Sequence, residues 1–121
     1  MALILVVDDD PNIATLVAFK LEKAGYEVVK VADGEAALEA LRSHRPDLVV
    51  MDVMMPKLDG CSATRRMRKM PEGEGVPIIL LSAKGQDEDR DFGLAAGAND
   101  YMTKPFTPAE LVERVRQYLD G

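Results

Sequence analysis

The chain has 121 residues, 47% of them hydrophobic, and a formal net charge of −6, which is typical of one globular domain spanning residues 1–121 and argues against nucleic-acid binding by this chain alone. No apolar run approaches the roughly 20 residues of a membrane span, so we expect no membrane contact. A single cysteine, Cys61, excludes an internal disulfide framework, and a single histidine, His44, leaves no zinc cluster, so we expect a cytoplasmic protein.

The first elements alternate strand and helix. The apolar run Leu3–Val7 predicts a buried strand. Asp10-Pro11 then supplies a capping acid followed by proline at the first helical position, and Gly25 is a natural end for that helix. A second strand is predicted at Glu27–Val31.

The middle of the chain repeats this order. A second helix is predicted around residues 36–41, ended by Pro46, and a third strand at Leu48–Met51. A third helix is indicated more weakly, by apolar or small residues at helical spacing: Cys61, Thr64, Met67 and Met70. It carries the basic run 65–69, which we interpret as a solvated helix face.

The last third completes the pattern. A strand at Ile78–Leu81 precedes a helix from Asp87 to Ala96, which Gly97 ends. A short strand follows at Asp100–Met102. The segment 107–110, Thr-Pro-Ala-Glu, has the pattern of a capping box and predicts the start of a fifth helix.

Five strand–helix units predict an α/β fold with a doubly wound, five-stranded parallel sheet and helices on both faces. The first, third and fourth strands are almost entirely Ile, Leu, Val and Met, which is typical of strands buried on both faces. In such sheets ligands bind at the carboxyl ends of the strands.

Polar residues gather at those carboxyl ends. Strand 1 runs into Asp8-Asp9-Asp10, strand 3 into Asp52, strand 4 into Ser82 and strand 5 into Lys104. Carboxylates that follow buried strands repel one another and need a cation, and an oxygen-only ligand set suits Mg²⁺. An ionised aspartate can attack phosphorus, while a hydroxyl and an ammonium hold phosphoryl oxygens. These residues therefore include every group that phosphoryl transfer to a carboxylate requires: a nucleophile, metal ligands, and donors to the phosphoryl oxygens.

Four sequence segments, in the expected order and at the expected intervals, carry a family resemblance that covers essentially the whole chain. They are residues 4–11 (ILVVDDDP), 49–56 (VVMDVMMP), 80–84 (LLSAK) and 101–106 (YMTKPF). With these four segments, the chain resembles the receiver domains of response regulators in two-component signalling. The resemblance implies a flavodoxin-like (βα)5 fold with strand order 2-1-3-4-5. It also implies that a sensor histidine kinase or a phosphotransfer protein phosphorylates the chain. By the same resemblance, the chain is expected to be a signalling domain and not an ordinary enzyme, although it would assist its own phosphorylation and dephosphorylation.

The same resemblance assigns roles to individual residues. Asp52 is expected to accept the phosphoryl group, and Ser82 and Lys104 to contact it, with a cis Lys104-Pro105 bond. Tyr101 matches the aromatic switch residue. The ligands of Mg²⁺, for which Mn²⁺ is a candidate substitute, are expected to be Asp8, Asp9, Asp52 and the backbone carbonyl of Met54.

Two further predictions concern rate and assembly. Met54 and Lys84 flank the expected reaction path, and we expect them to tune hydrolysis of the acyl phosphate. Four charged residues resemble those that pair across a helix 4–strand 5–helix 5 homodimer in one transcription-factor branch of the family, as Arg90 with Glu110 and Asp100 with Arg114. The alternative is an ordinary solvated surface.

Three other functions fit this sequence less well. A flavin carrier of the same fold needs a Ser/Thr/Gly loop after strand 1, where this chain has three acids. An aspartate-nucleophile phosphohydrolase would use the Asp8-Asp9-Asp10 segment for attack and leave Asp52 unexplained. A receiver-like fold used only for binding would lack an acid, the acceptor or the lysine, and none is missing.

Overall fold

The computed structural model describes the backbone of residues 1–83 and 87–120, and the side chains of residues 1–83 and 90–120. Within these residues the strands are β1 (Leu3–Val7), β2 (Glu27–Val31), β3 (Leu48–Asp52), β4 (Ile78–Ala83) and β5 (Asp100–Lys104). The α-helices are α1 (Pro11–Lys23), α2 (Gly34–His44), α3 (Gly60–Arg68), α4 (Asp87–Ala96) and α5 (Pro108–Leu119), and a short 3-10 helix covers Pro71–Gly73.

The strands form one parallel sheet in the order β2-β1-β3-β4-β5. This confirms the predicted fold class and strand order. Because all five strands run in the same direction, their carboxyl ends lie along one edge of the sheet. The β1–β3 register aligns Val7 with Met51, which brings the residues that follow the two strands side by side.

Two apolar layers cover the sheet. On one face, β-strand side chains pack with α1 and α5 through buried residues such as Val17, Leu21, Leu111 and Val115. On the other face they pack with α2 and α3, where Leu41 and Met67 are fully buried. Burial on both faces explains why β1, β3 and β4 are almost continuously apolar in sequence.

Side-chain caps start the helices at the predicted places. The Asp10 carboxylate accepts from the Asn12 N–H at 2.9 Å at the start of α1. At the start of α5, the Thr107 hydroxyl accepts from the Glu110 N–H at 3.1 Å and donates to the Glu110 carboxylate. These contacts satisfy amide groups that a helix terminus leaves unpaired.

Three strands and two helices have different bounds from those predicted. Helix α2 begins at Gly34 and ends at His44, beyond the predicted 36–41 on both sides. Strand β3 includes Asp52, and β4 and β5 each extend two residues further, because Ala83 and Lys104 still pair across the parallel ladder. Hydrophobic pattern alone misses such polar strand ends. Helix α3 ends at Arg68 and leaves Met70 outside, because Pro71 disfavours helical backbone at the residue before it.

The interpretation of 65–69 as a wholly solvated helix face was wrong for Arg68. Its guanidinium is partly buried and donates to the carbonyl oxygens of Gly73, Val76 and Gly97 and to the side-chain oxygen of Asn99, at 2.6–2.9 Å. The same Asn99 oxygen accepts from the backbone N–H of Ile78 at 2.9 Å, where β4 begins. Arg68 therefore joins the end of α3 to the segments that precede β4 and β5.

Among the residues that the structure describes, no helix is long and apolar enough to cross a membrane.

Candidate functional site

Three aspartates meet at the carboxyl edge of the sheet. Asp8 directly follows β1, Asp9 comes next, and Asp52 is the last residue of β3. Each offers a carboxylate oxygen, and the three oxygens lie within 4.8 Å of one another. Asp8 and Asp52 are only 4% and 6% exposed, whereas Asp9 faces solvent. The fold thus brings together the acids that the sequence predicted as metal ligands and phosphoacceptor.

Lys104 places a positive charge beside two of these acids. Its Nζ lies 3.4 Å from Asp52 Oδ2 and 3.8 Å from Asp8 Oδ2. Lys104 is the last residue of β5, and the peptide bond to Pro105 is cis, as predicted. Although β5 is separated from β3 by β4, the lysine side chain is long enough to reach across the strand between them.

Burial governs the ionisation of the two buried acids, Asp8 and Asp52, which we call the inner acids. Desolvation raises the pKa of Asp52, against the opposing effect of the Lys104 charge, and the nearby Asp8 charge raises it further. Desolvation also raises the pKa of Asp8, although the Asp10 N–H and Lys104 oppose the shift. One ammonium does not fully compensate two buried carboxylates.

The arrangement fits a hard divalent cation. Among the described residues, Asp8 Oδ2 is a buried oxygen without a hydrogen-bond partner. A buried carboxylate oxygen of this kind is costly unless a cation or a donor compensates it. The charge surplus and the oxygen-only donors match the preference of Mg²⁺ for a few carboxylates plus water.

Ser82 and Tyr101 lie on the neighbouring strands. Ser82 is fully buried near the end of β4. Tyr101 is half-buried on β5, aligned with Leu80, and packs against the apolar layer beneath α2 and α3. Their phosphate-contacting and switching roles remain predictions.

The residues expected to tune hydrolysis are only partly described. Met54 is 61% exposed beside the acids, and its backbone N–H points to Asp52 Oδ1 at 3.4 Å. Whether its side chain tunes hydrolysis remains a prediction. Lys84 lies outside the described residues.

The predicted dimer face contains an ion pair within one chain. Arg114 Nη1 lies 2.7 Å from Asp100 Oδ1, so this predicted pair already forms between α5 and β5. Arg90 is exposed and borders a groove with both residues. The Glu110 carboxylate accepts from the Thr107 hydroxyl at 3.1 Å. Dimerisation through this face remains a prediction.

The backbone contacts that orient the carboxylates of Asp8 and Asp52 were not among the predictions from sequence. Each accepts from an N–H two residues further on: Asp8 Oδ1 from Asp10 at 2.9 Å, and Asp52 Oδ1 from Met54 at 3.4 Å. This is the Asx-turn pattern, which aspartate favours where a strand gives way to a loop. An aspartate at a predicted strand end was the available signal.

Comparison with known proteins identifies the family. The family model described as "Response regulator receiver domain" matches residues 4–116. The chain belongs to the response regulator receiver domain family. This membership decides against the flavin-carrier and phosphohydrolase alternatives, and it makes the chain a signalling domain.

Relatives of this receiver domain include a transcriptional regulator and a kinase-borne receiver. It is 47% identical over 116 residues to the alkaline phosphatase synthesis transcriptional regulatory protein PhoP of Bacillus subtilis (strain 168), covering 96% of this chain and 48% of PhoP. The chain therefore spans about half the length of that relative.

Two solved structures have nearly the same backbone. A putative response regulator from Chloroflexus aurantiacus is 41% identical with a TM-score of 0.93, covering 99% of this chain and 98% of that one. The receiver domain of sensor histidine kinase PA1611 from Pseudomonas aeruginosa PAO1 is also 41% identical, with a TM-score of 0.91 and the same coverages. In the latter a magnesium ion is coordinated in the active-site cleft.

Proposed function

We propose that residues 1–121 act as a single receiver in which Asp52 accepts a phosphoryl group from a phosphohistidine. The donor is a sensor histidine kinase or a phosphotransfer protein. The observation that carries the proposal is the convergence of three carboxylate oxygens within 4.8 Å, with Lys104 Nζ 3.4 Å from Asp52. Asp52 is buried, while Met54, two residues further on, is exposed.

In the transfer, a carboxylate oxygen of Asp52 attacks phosphorus. The bond from phosphorus to the donor imidazole nitrogen breaks, and its electron pair leaves with the imidazole. Lys104 would hold a phosphoryl oxygen, and Ser82 would donate a hydrogen bond to another. Hydrolysis returns Asp52 to a carboxylate and releases inorganic phosphate.

Asp8, Asp9, Asp52 and the Met54 carbonyl would hold Mg²⁺, and we propose that Mn²⁺ can replace it. When bound, the ion neutralises negative charge at the phosphoryl group. The cation also explains why the protein tolerates an unpartnered buried oxygen on Asp8. Without the ion, Lys104 compensates both Asp8 and Asp52 in part.

The signal is a shift between two conformations. The new phosphate adds negative charge and acceptor oxygens, and Ser82 and Lys104 contact it in only one conformation. Tyr101 then turns inward, and the α4–β5–α5 face changes its affinity for a partner. A homodimer through Arg90, Asp100, Glu110 and Arg114, or control of an output domain, would be the consequence.

The deciding experiment measures the intact-protein mass after incubation with acetyl phosphate and Mg²⁺. The wild type should gain one phosphoryl group. Asp52→Asn and a wild-type sample in EDTA should gain none. Phosphoryl addition that persists in Asp52→Asn would reject Asp52 as the acceptor and would make Asp8 and Asp9 the nucleophiles to test.

Two finer proposals have separate measurements. Joint substitution of Met54 and Lys84 should change the lifetime of the phosphorylated protein, and an unchanged lifetime would reject their rate-tuning role. Gel filtration with and without beryllofluoride, a phosphoryl mimic, tests the dimer. A monomer under both conditions would reject dimerisation through the α4–β5–α5 face.

A further inference from the structure

The segment between β3 and α3, residues 53–59, is held against the phosphoacceptor by a close backbone contact at Gly60. A Cβ built on Gly60 would collide with the Asp52 carbonyl oxygen and would lie 2.9 Å from Val53 Cα. The Gly60 N–H also donates to the Val53 carbonyl at 2.9 Å. The first turn of α3 therefore lies directly on the backbone of the residue that is to be phosphorylated.

A second close contact holds the same segment from α2. A Cβ on Gly34 would lie 2.6 Å from the Leu58 carbonyl oxygen and 2.9 Å from Leu58 Cβ. Leu58 is buried, and its N–H donates to the Pro56 carbonyl at 2.8 Å, so this part of the segment has little room to move. Both contacts are tighter than ordinary van der Waals distance.

Space is what these two positions require. The glycines with positive φ are Gly25 and Gly97 among the described residues, so Gly34 and Gly60 have backbone angles that alanine adopts without strain. A methyl group at either position would instead displace residues 53–59, because a packed interior does not absorb the extra volume locally.

We propose that Gly34 and Gly60 are positioning residues for the phosphoacceptor site. They allow the first turns of α2 and α3 to approach residues 52–58 closely. In this way they set the position of the Met54 backbone, whose nitrogen lies 3.4 Å from Asp52 Oδ1. This inference rests on the proposed function, because Met54 and Asp52 are the groups that it positions. Displacements of about 1 Å at a reacting centre can lower a rate by about a hundredfold.

The chain offers matched controls for Gly60→Ala and Gly34→Ala. Gly73→Ala introduces an equally severe clash, with the Met67 carbonyl, but at the far end of α3 from Asp52. Gly75→Ala adds a methyl group where nothing lies within 4 Å. Comparison with these two variants separates loss of position from loss of stability.

Three quantities are measured at a temperature where every variant is at least 95% folded: the rate of phosphoryl gain from acetyl phosphate, the Mg²⁺ dissociation constant by NMR titration, and the Met54 amide shift. Gly60→Ala and Gly34→Ala should slow phosphoryl gain at least tenfold, weaken Mg²⁺ binding at least threefold and move the Met54 resonance. Gly73→Ala and Gly75→Ala should remain within twofold of wild type.

The proposal is overturned if Gly60→Ala and Gly34→Ala slow the reaction and weaken Mg²⁺ binding no more than Gly73→Ala does. If Gly60→Ala does not fold, Gly34→Ala decides alone, since the three atoms nearest to its added methyl group all belong to Leu58 in the same segment. If the wild type accepts no phosphoryl group, the proposed function fails. The Met54 shift and the Mg²⁺ dissociation constants of the variants still decide whether the glycines position the segment.

Discussion

The buried carboxylate of Asp52 should destabilise the metal-free protein, so Asp52→Asn should unfold less readily than wild type. At an effective dielectric constant of about 20, Lys104 at 3.4 Å attracts Asp52 by about 5 kcal/mol. Asp8, within 4.8 Å, repels it by at least about 3.5 kcal/mol, and exposed Asp9 adds a smaller repulsion. These terms nearly cancel, and the desolvation of a carboxylate that is 6% exposed remains. Asparagine has the same shape, so we expect a gain of about 1–2 kcal/mol.

The pH dependence follows from the direction of the pKa shifts. Burial raises the folded-state pKa of both Asp8 and Asp52 above the unfolded value, so the folded protein binds these protons more tightly. The resulting stability is fully present below about pH 4 and is lost as pH rises through the folded-state pKa values. The advantage of Asp52→Asn should therefore be largest near pH 7 and should shrink toward pH 4.

Urea denaturation in EDTA at pH 7 and pH 4 measures both effects. The exposed Asp91 supplies the control, since Asp91→Asn should change the free energy of unfolding by less than about 0.5 kcal/mol. Saturating Mg²⁺ should stabilise wild type more than Asp52→Asn and so narrow the difference between them. Equal or lower stability of Asp52→Asn in EDTA at pH 7 would refute the reasoning, because the site acids would then be adequately compensated by Lys104.

Three other substitutions test the contacts that fix the two ends of α3. Arg68→Met removes hydrogen bonds to four acceptors and should lower the free energy of unfolding by about 2–4 kcal/mol in urea denaturation. The control Arg65→Met, on the exposed face of the same helix, should lower it by less than about 0.5 kcal/mol. Equal losses in the two variants would contradict the role of Arg68. Asn99→Asp places a carboxylate 2.7 Å from Arg68 and should add about 0.5–1 kcal/mol at low salt, a gain that 1 M NaCl should largely remove. Asp59→Ala removes the α3 cap and should cost about 1 kcal/mol. Burial raises the pKa of Asp59, but hydrogen bonds, chiefly from Ser62, outweigh it and lower the pKa. The loss should therefore be present above about pH 4 and fade as pH falls, and a loss independent of pH would argue against an ionised cap.

The fold and the inner site were predictable because each depended on local patterns. Alternating apolar strands and capped helices indicated the parallel sheet, and the topology then required the strand ends to meet along one edge. Asp8, Asp52 and Lys104 were therefore placed together without any distance being known. The predicted strand order came from the family resemblance, since periodicity alone does not order strands.

The remaining features depend on contacts between distant segments. Arg68 belongs to a basic run, and nothing in that run distinguishes it from exposed Arg65; only the fold brings three carbonyl oxygens and Asn99 around its guanidinium. The close contacts at Gly34 and Gly60 could not be predicted from sequence either. Neither glycine ends a helix or has a positive φ, and each is required only because another segment lies against it. The Asp100–Arg114 pair was predicted across two chains, and the structure contains it within one.

The Arg68 contacts should make the sheet harder to open at the amino ends of its strands (the amino edge) than at their carboxyl ends (the carboxyl edge). At the amino edge, one side chain joins the end of α3 to the segments before β4 and β5, so none of the three can detach alone. At the carboxyl edge, mutually repelling carboxylates favour separation. Local unfolding should therefore begin at the carboxyl edge, and backbone amides there should exchange with deuterium sooner than those around Ile78. The molecule can rearrange at the proposed phosphorylation site while its opposite edge keeps the strands in register.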